Sequence, residues 1–393
     1  MAEKGYYMKI RFKYLFFIIC MFIAGTVMYT MCTNAGSSKT TYVALGDSIA
    51  AGYGLEGYSG GQEVPPADSY QSLVSKFLGT SPVNYAVTGD DSTDCIELLN
   101  SGKADEVLSD AGIITLSIGS NDLLGPFIRI IKETFGITED VNGMDYSLIE
   151  DYYASFKDAS FTDLLAIANG LADKVKDNEE LHAKAQAFSA NFNEIINILK
   201  EKAPEAGIYV TNIYNPFKDV MVVGSLADTY INELNSAFKN NSGDYTLIDT
   251  YSLFAGENLS NVKFDISDLD NINLDPHPSK KGHARIASAI SDAIKEKYSP
   301  APANINQLKS TAKNTITIKL SCTSGKSGYE IKFASSKDGK WTKLKDTSKN
   351  TNSIKSAKLK SGKTYYFRAR SYNNINGVKY YSKPGKVKKV KIK

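Results

Sequence analysis

Cysteine and histidine are scarce in this chain of 393 residues, which has four cysteines and three histidines. Cys20 and Cys32 precede the first globular pattern, and Cys95 and Cys322 stand far apart in the remaining sequence. A disulfide framework needs several spaced cysteine pairs, and the common zinc sites need three or four cysteine or histidine ligands. The composition argues against both kinds of site, so we expect no bound metal.

Acidic residues are nearly absent from the last part of the chain. Residues 303–393 contain 3 Asp/Glu against 23 Lys/Arg, whereas residues 36–302 contain 39 Asp/Glu against 19 Lys/Arg. The net charge of +3 for the whole chain conceals this asymmetry. A proline-rich stretch at 298–304 separates the two parts. We therefore predict an acidic domain over 36–298, a linker over 299–303 and a basic domain over 304–393.

The N-terminal segment has the pattern of a targeting signal. Lys4, Lys9, Arg11 and Lys13 precede an apolar run over 14–29, and small residues end the segment at 33–35. This order is typical of a secretory signal peptide. We predict a signal over 1–35 and a secreted or cell-surface protein, with an uncleaved membrane anchor as the alternative.

The acidic domain alternates short apolar runs with helical periodicity. Strands are predicted at 42–45, 83–87, 113–118, 208–213 and 245–248, and the plainest helices at 185–202, 225–239 and 282–297. Strands that alternate with helices form a parallel sheet covered on both faces. We predict a three-layer α/β domain.

Polar turns follow three of these strands. Ser48 ends the turn Gly46-Asp47-Ser48, Gly89 follows the second strand, and Asn121-Asp122 follow the third. Ligands bind at the carboxyl edge of an open parallel sheet, so these groups are candidates for one site. Each turn taken alone is also ordinary turn or helix-cap chemistry. We expect Asp47 and Asp122 to organise the turn backbone around the site rather than to transfer protons.

The last turn before the terminal helix contains Asp275, His277 and His283. Acyl transfer needs a nucleophile, a base that titrates near neutrality, a group that orients the base, and donors for the developing oxyanion. The four turns contain all of these residue types, with His283 interpreted as a packed structural residue.

Together the blocks at 46–48, 89, 119–122 and 275–283 resemble, in order, those of the SGNH (GDSL-type) hydrolase superfamily. The resemblance implies a flavodoxin-like α/β/α sandwich with lipase or esterase activity and no cofactor. It also implies that Ser48 is the nucleophile and His277 the general base. The oxyanion hole would then consist of the Ser48 and Gly89 N–H groups and the Asn121 side chain.

One position departs from the family pattern. The acid usually lies three residues before the histidine, where this chain has Leu274. Asp275 lies two residues before His277, and we predict that it orients the imidazole. A backbone carbonyl and Asp270 are the alternatives.

The substrate is less constrained by the sequence. More than eighty residues separate Asn121 from the next predicted strand, and they include an apolar stretch at 123–131 and an aromatic, acidic stretch at 146–161. A helical cap that receives an acyl chain and an ordinary packed insertion are both compatible with this pattern. The substrate is accordingly a lipid ester or an acylated glycan. A protein that has this fold but binds a surface without catalysing a reaction is the alternative to an enzyme.

The basic domain shows strand-like alternation at 315–320, 329–333, 363–372 and 386–392. This pattern predicts a β-sandwich. The segments at 328–331 and 359–370 resemble those of fibronectin type III domains of secreted bacterial enzymes. Its charge favours an anionic cell-wall polymer or a membrane surface as partner, and secretion argues against nucleic acid. A solvated lysine face is the alternative.

Overall fold

The computed structural model describes most of the chain. The described residues are 41–60, 64–135, 161–219, 221–239, 243–265, 273, 275–322, 326–348, 353–356, 359–375 and 378–393. Four features of the sequence analysis lie outside them: the signal segment 1–35, nearly all of the aromatic stretch 146–161, Leu274 and Asp270. Among the described residues, no helix is long and apolar enough to cross a membrane.

A parallel sheet of five strands, in the order β2-β1-β3-β4-β5, forms the centre of the first domain. The strands are β1 (Thr41–Gly46), β2 (Pro82–Asn84), β3 (Ala111–Ser117), β4 (Gly207–Thr211) and β5 (Thr246–Ile248). This order is that of flavodoxin-like sheets. The predicted fold class is confirmed.

Helices cover both faces of this sheet. They are α1 (Ser48–Ala51), α2 (Tyr70–Leu78), α3 (Ser92–Asn100), α4 (Asp105–Ser109), α5 (Ser120–Phe135), α6 (Phe161–Val175), α7 (Glu179–Lys202), α8 (Met221–Ala237), α9 (Thr250–Phe254), α10 (Asn258–Asn261) and α11 (Lys280–Tyr298). One apolar layer packs helices α3 through α8 against one face of the sheet. A second packs α1, α2, α9 and α11 against the other face. Burial of these two layers stabilises the sandwich.

The strand order creates a crevice between β1 and β3. After β1 the chain moves to β2 on one side, and it then returns to β3 on the other side of β1. The loops that follow β1 and β3 therefore diverge, which is the usual position of a ligand site in such sheets. Strand β2 is shorter than the predicted 83–87. Just after it Asn84 Oδ1 accepts from Ala86 N–H (3.0 Å), although Val87 N–H still donates to Gly46 O (2.9 Å).

The basic domain consists of two antiparallel sheets, β10-β7-β6 and β12-β11-β8-β9, with β13 paired to β11. Its strands are β6 (Asn304–Lys309), β7 (Ile316–Ser321), β8 (Gly328–Ala334), β9 (Thr342–Asp346), β10 (Ser353–Ser356), β11 (Thr364–Ile375), β12 (Val378–Tyr381) and β13 (Lys388–Lys391). Side chains from both sheets form one apolar cluster, as in a sandwich. The fibronectin type III resemblance remains a prediction.

The segment that joins the two domains is packed against the basic domain. Ser299 Oγ donates to Tyr381 O (3.0 Å), and Ala303 is fully buried. Tyr380 of β12 packs in the apolar layer of α2 and α11, with its ring 6.1 Å from Phe77 and 5.6 Å from Tyr298. The proline-rich composition of this segment suggests a flexible spacer, but these contacts hold it in place.

Candidate active site

Ser48 is the first residue of the short helix α1, directly after β1, and its side chain is buried. Asp47 caps this helix, because its Oδ1 accepts from Ile49 N–H (3.0 Å). The backbone N–H of Asp47 also donates to Ser117 O on β3 (3.0 Å). These bonds fix the serine in the crevice at the carboxyl ends of β1 and β3.

His277 lies in a hairpin-like loop that precedes α11. Lys263 N–H donates to His277 O (3.0 Å), and Val262 forms an antiparallel bridge with Pro278. The His277 side chain is 5% exposed, and its Nε2 is 2.8 Å from Ser48 Oγ. The structure thus brings together two side chains that are 229 residues apart in sequence.

Asp275 completes a hydrogen-bonded chain with these two residues. Its Oδ1 is 2.5 Å from His277 Nδ1 and also accepts from His277 N–H (2.9 Å). A carboxylate at Nδ1 favours the tautomer in which Nδ1 carries the proton and Nε2 accepts from the serine hydroxyl. Burial acts to raise the pKa of Asp275, but the bonds from His277 and the charge of Lys263 outweigh it and lower this pKa to about 2. The carboxylate is therefore ionised at neutral pH.

The other two predicted site residues lie at the same edge. Gly89 has φ of +98°, a conformation that side chains other than glycine rarely adopt. Asn121 lines the same cavity as Ser48 and His277, and its Nδ2 donates to Asp90 O (2.7 Å). One further N–H of the amide remains for a ligand. The oxyanion-hole roles of Gly89 and Asn121 stay predictions.

Two buried aspartates surround the turns. Asp122 accepts from Ser92 N–H (3.0 Å) and from Ser92 Oγ–H (2.5 Å), and Asn191 Nδ2 donates to the same hydroxyl (2.9 Å). Asp122 thereby ties the loop after β3 to the start of α3. Burial raises the pKa of Asp122 to about 6. Burial, together with repulsion from Asp122, raises the pKa of Asp47 to about 7.

An apolar cavity opens beside Ser48 and His277. Its apolar lining comes from α1, α5, α7, α8 and the loops after β4 and before α11, and comprises Ile49, Leu123, Leu124, Phe127, Leu181, Ile213, Tyr214, Pro216, Phe217, Ala227, Tyr230, Ile231 and Pro276. Most of α7 instead packs in the core of the sandwich, through residues such as Phe188 and Phe192. The described part of the long insertion therefore both lines the cavity and forms ordinary core.

Sequence reasoning missed two neighbours of the histidine. The Tyr53 ring lies 4.6 Å from the His277 ring, and Lys263 Nζ is 3.0 Å from Asp275 Oδ2. No motif marks either residue, because both reach the site only through the fold. Within the described part of the chain, no group of three or more His, Cys, Asp or Glu side chains could hold a metal ion.

Comparisons with known proteins agree with this architecture. A sequence model of the GDSL-like lipase/acylhydrolase family matches residues 42–290. The uncharacterized protein YpmR of Bacillus subtilis (strain 168) is 26% identical over 265 residues, which are 65% of this chain and 82% of that protein.

Two solved structures are also similar. The lipase Lip_vut3 from a goat rumen metagenome is 20% identical, with a TM-score of 0.41, and the match covers 64% of this chain and 96% of that one. The extracellular lipase from Streptomyces rimosus is 18% identical, with a TM-score of 0.42, and the match covers 64% and 99%. Because the family model spans more than half of the sequence, the chain belongs to the GDSL-like lipase/acylhydrolase family.

Proposed function

We propose that this protein is a secreted serine ester hydrolase that cleaves carboxylic acyl esters through an acyl-enzyme on Ser48. The observation that carries the proposal is the hydrogen-bonded chain Ser48–His277–Asp275 beside an apolar cavity. A serine hydroxyl is a weak nucleophile until an adjacent base accepts its proton, and His277 Nε2 is at hydrogen-bond distance for that transfer.

The reaction divides into two steps. In the first, Ser48 Oγ attacks the ester carbonyl carbon while its proton moves to His277 Nε2, and the resulting tetrahedral intermediate expels the alcohol, which takes that proton. In the second, water attacks the acyl-enzyme with His277 as base, and the carboxylic acid leaves as Ser48 regains its proton. Asp275 stabilises the imidazolium that forms in each step.

The developing oxyanion needs donors that are already in place. The Ser48 and Gly89 N–H groups and the Asn121 amide are the candidates. Gly89 has the backbone conformation that lets its N–H face a ligand without a side chain in the way. Loss of one such donor typically costs about 2.7 to 4 kcal/mol of transition-state stabilisation.

The cavity favours a longer acyl chain over an acetyl group. Thirteen of its lining residues are apolar or aromatic, and they extend from the serine along α5 and α8. Apolar surface buried against methylene groups stabilises binding by about 0.8 kcal/mol per methylene. A carbohydrate O-acetyl esterase would derive little benefit from this lining. That activity and a binding role without turnover are the alternatives.

Hydrolysis of p-nitrophenyl acetate, butyrate and octanoate by the protein and by Ser48→Ala distinguishes these functions. The proposal predicts serine-dependent turnover with kcat/KM rising from acetate to octanoate. Turnover of acetate alone would favour the O-acetyl esterase. The absence of turnover on simple and glycan esters would leave a binding role.

We infer that the basic domain binds an anionic cell-wall polymer. On its larger sheet Arg368 lies opposite Lys332, which in turn lies opposite Lys343. The Arg368 guanidinium stacks on Trp341, 4.3 Å from the ring centroid. Lys332 also pairs with Glu330 (3.4 Å) and Lys343 with Asp346 (2.8 Å). The domain nevertheless has 23 Lys/Arg against 3 Asp/Glu, so a row of basic side chains that crosses three strands matches an extended polyanion in charge.

Salt-dependent retention of the protein on isolated cell walls tests this inference. We expect retention at low salt that falls steeply near 0.15 M, because exposed charges are screened within about 8 Å there. The double substitution Lys332→Gln and Arg368→Gln weakens retention, whereas Lys313→Gln with Lys319→Gln, outside this row, does not. Equal loss from both pairs would indicate net charge alone, and stronger binding to anionic vesicles would indicate a membrane surface.

A further inference from the structure

The catalytic carboxylate has a partner that does not belong to the family blocks. Lys263 Nζ donates to Asp275 Oδ2 (3.0 Å) and lies 3.5 Å from Tyr53 O. The two charged side chains are only 18% and 19% exposed. Partial burial strengthens such a pair relative to one on the surface, since solvent screens it less.

The two oxygens of Asp275 therefore have different neighbours. Oδ1 accepts from the ring and the backbone of His277, and Oδ2 accepts from Lys263. A carboxylate held from both oxygens has little freedom to rotate about its terminal bond. The Lys263 contact thus adds a further point of attachment to the two bonds that His277 makes with Oδ1.

The backbone supports the same arrangement. Lys263 N–H donates to His277 O (3.0 Å), so the lysine is anchored to the residue that its side chain helps to align. Gly54 has φ of +70°, and a Cβ at this position would lie 2.0 Å from Lys263 Nζ and 3.1 Å from Asp275 Oδ2. The glycine leaves the space that the ammonium group occupies.

We propose that Lys263 is a positioning residue that fixes the Asp275 carboxylate and, through it, the His277 imidazole. The inference rests on the proposed function, since it assigns Lys263 a part in that reaction. Lys263 is absent from the lining of the apolar cavity, so it acts on alignment rather than on acyl binding.

The charges around the imidazole determine what removal of Lys263 does. Asp275 and Lys263 lie on its own hairpin, the Tyr53 ring packs against it, and buried His283 of α11 interacts electrostatically with Lys263 and His277. Removal of the ammonium group leaves the Asp275 charge uncompensated. Imidazolium formation at His277 becomes easier, because the ionised carboxylate then acts on the ring without an opposing positive charge.

NMR titration of the three histidine Cε1–H resonances in the full-length protein measures this directly. The variants are Lys263→Met, which removes the charge, and Lys263→Arg, which keeps it. Lys202→Met is the matched control, because Lys202 has a similarly buried side chain (22% exposed) that contacts Asp105 far from the site. We expect the His277 midpoint to rise in Lys263→Met alone. We also expect kcat to fall about 10-fold or more with KM unchanged.

An unchanged or lower His277 midpoint in Lys263→Met overturns the proposal, as does an equal rise in Lys202→Met. If Lys263→Met does not fold, Lys263→Gln is titrated in its place under the same criteria. The titration needs no turnover. If the wild type hydrolyses no ester but Lys263→Met shows the rise, the proposed function is refuted and the Lys263 contact is established. Turnover by the wild type without a rise in Lys263→Met would refute the role of Lys263 alone.

Discussion

Asp275 Oδ1 accepts two hydrogen bonds from His277, one from the ring Nδ1 (2.5 Å) and one from the backbone N–H (2.9 Å). An acid two residues before the base thus reaches the position that an acid three residues before it would otherwise fill. The backbone bond closes a tight local turn, and this turn directs the carboxylate at the imidazole.

This relationship predicts the behaviour of Asp275 variants. We expect Asp275→Ala to lower kcat about 10³- to 10⁴-fold with little change in KM, because the imidazole loses both its orientation and the charge that stabilises its protonated form. Steady-state kinetics beside His277→Ala provide the comparison. Near-normal turnover of Asp275→Ala together with an inactive His277→Ala would assign the orienting role to another group.

Gly89 offers a matched test of the oxyanion hole. Gly89→Ala introduces a side chain at φ of +98°, and no described atom lies within 4 Å of the new Cβ. Gly102→Ala imposes similar strain at φ of +79°. We expect each variant to lose about 1 to 2 kcal/mol of unfolding free energy. We expect Gly89→Ala alone to lose up to about 10²- to 10³-fold in kcat, the usual cost of a lost donor, because its methyl group occupies the space through which the oxyanion reaches the N–H. Equal kcat in the two variants would remove Gly89 from the site.

A substitution at Leu124 tests whether the cavity binds the acyl chain, since this residue is half-buried and lines the cavity from α5. Leu124→Trp fills this space, so we expect kcat/KM for octanoate to fall about 10-fold or more relative to acetate. Leu259→Trp places the same ring on an exposed position of α10, 55% accessible in the native protein. An unchanged octanoate-to-acetate ratio in Leu124→Trp would show that the acyl chain binds elsewhere.

Because His283 is buried, we expect the folded protein to lose stability in acid. Its Nδ1 accepts from Tyr70 N–H (3.3 Å) in the interior, and burial, followed by the charges of Lys263 and His277, lowers the pKa of His283 to about 3. In the unfolded chain the ordinary value near 6.5 applies. The unfolded state therefore binds a proton first, and the stability present above pH 6.5 is lost as the pH falls towards 3.

The free energy of unfolding of wild type and His283→Gln at pH 7, 6 and 5 isolates this effect. We expect the unfolding free energy of the wild type minus that of His283→Gln to decrease as the pH falls, by at most about 1.4 kcal/mol per pH unit. The raised pKa values of Asp47 and Asp122 act in the opposite direction, but both groups are present in each protein and their contribution cancels. A constant difference between pH 7 and pH 5 would contradict the assignment.

The sequence predicted those features that depend on local pattern. Strands β1 and β3 are largely apolar runs, and the turns that follow them contain Ser48 and Asn121, so both the sheet and the edge that carries the candidate site were predictable. Helix α7 begins at Glu179, ahead of the predicted Ala185, because Asn178 caps it (Asn178 Oδ1 to Leu181 N–H, 3.1 Å). A capping residue in a charged stretch gives little apolar signal.

Features that depend on tertiary packing were not predictable in this way. Lys263 lies 12 residues before Asp275, and only the pairing of the two hairpin segments brings it to the carboxylate. The cavity is lined from α5, α8 and the loop after β4, whose apolar residues look like ordinary core in sequence. Strands β9 and β12 are short and rich in lysine or tyrosine, and they are fixed by pairing with their neighbours.

Covalent labelling of Ser48 tests the central claim most directly. The protein is treated with a fluorophosphonate ester, residual hydrolysis of p-nitrophenyl butyrate is followed, and the labelled peptide is identified by mass spectrometry. We predict one label on Ser48, loss of turnover in proportion to labelling, and much slower labelling of His277→Ala, since the hydroxyl then lacks its base. Full turnover by Ser48→Ala, or inactivation with the label on another residue, would contradict the account.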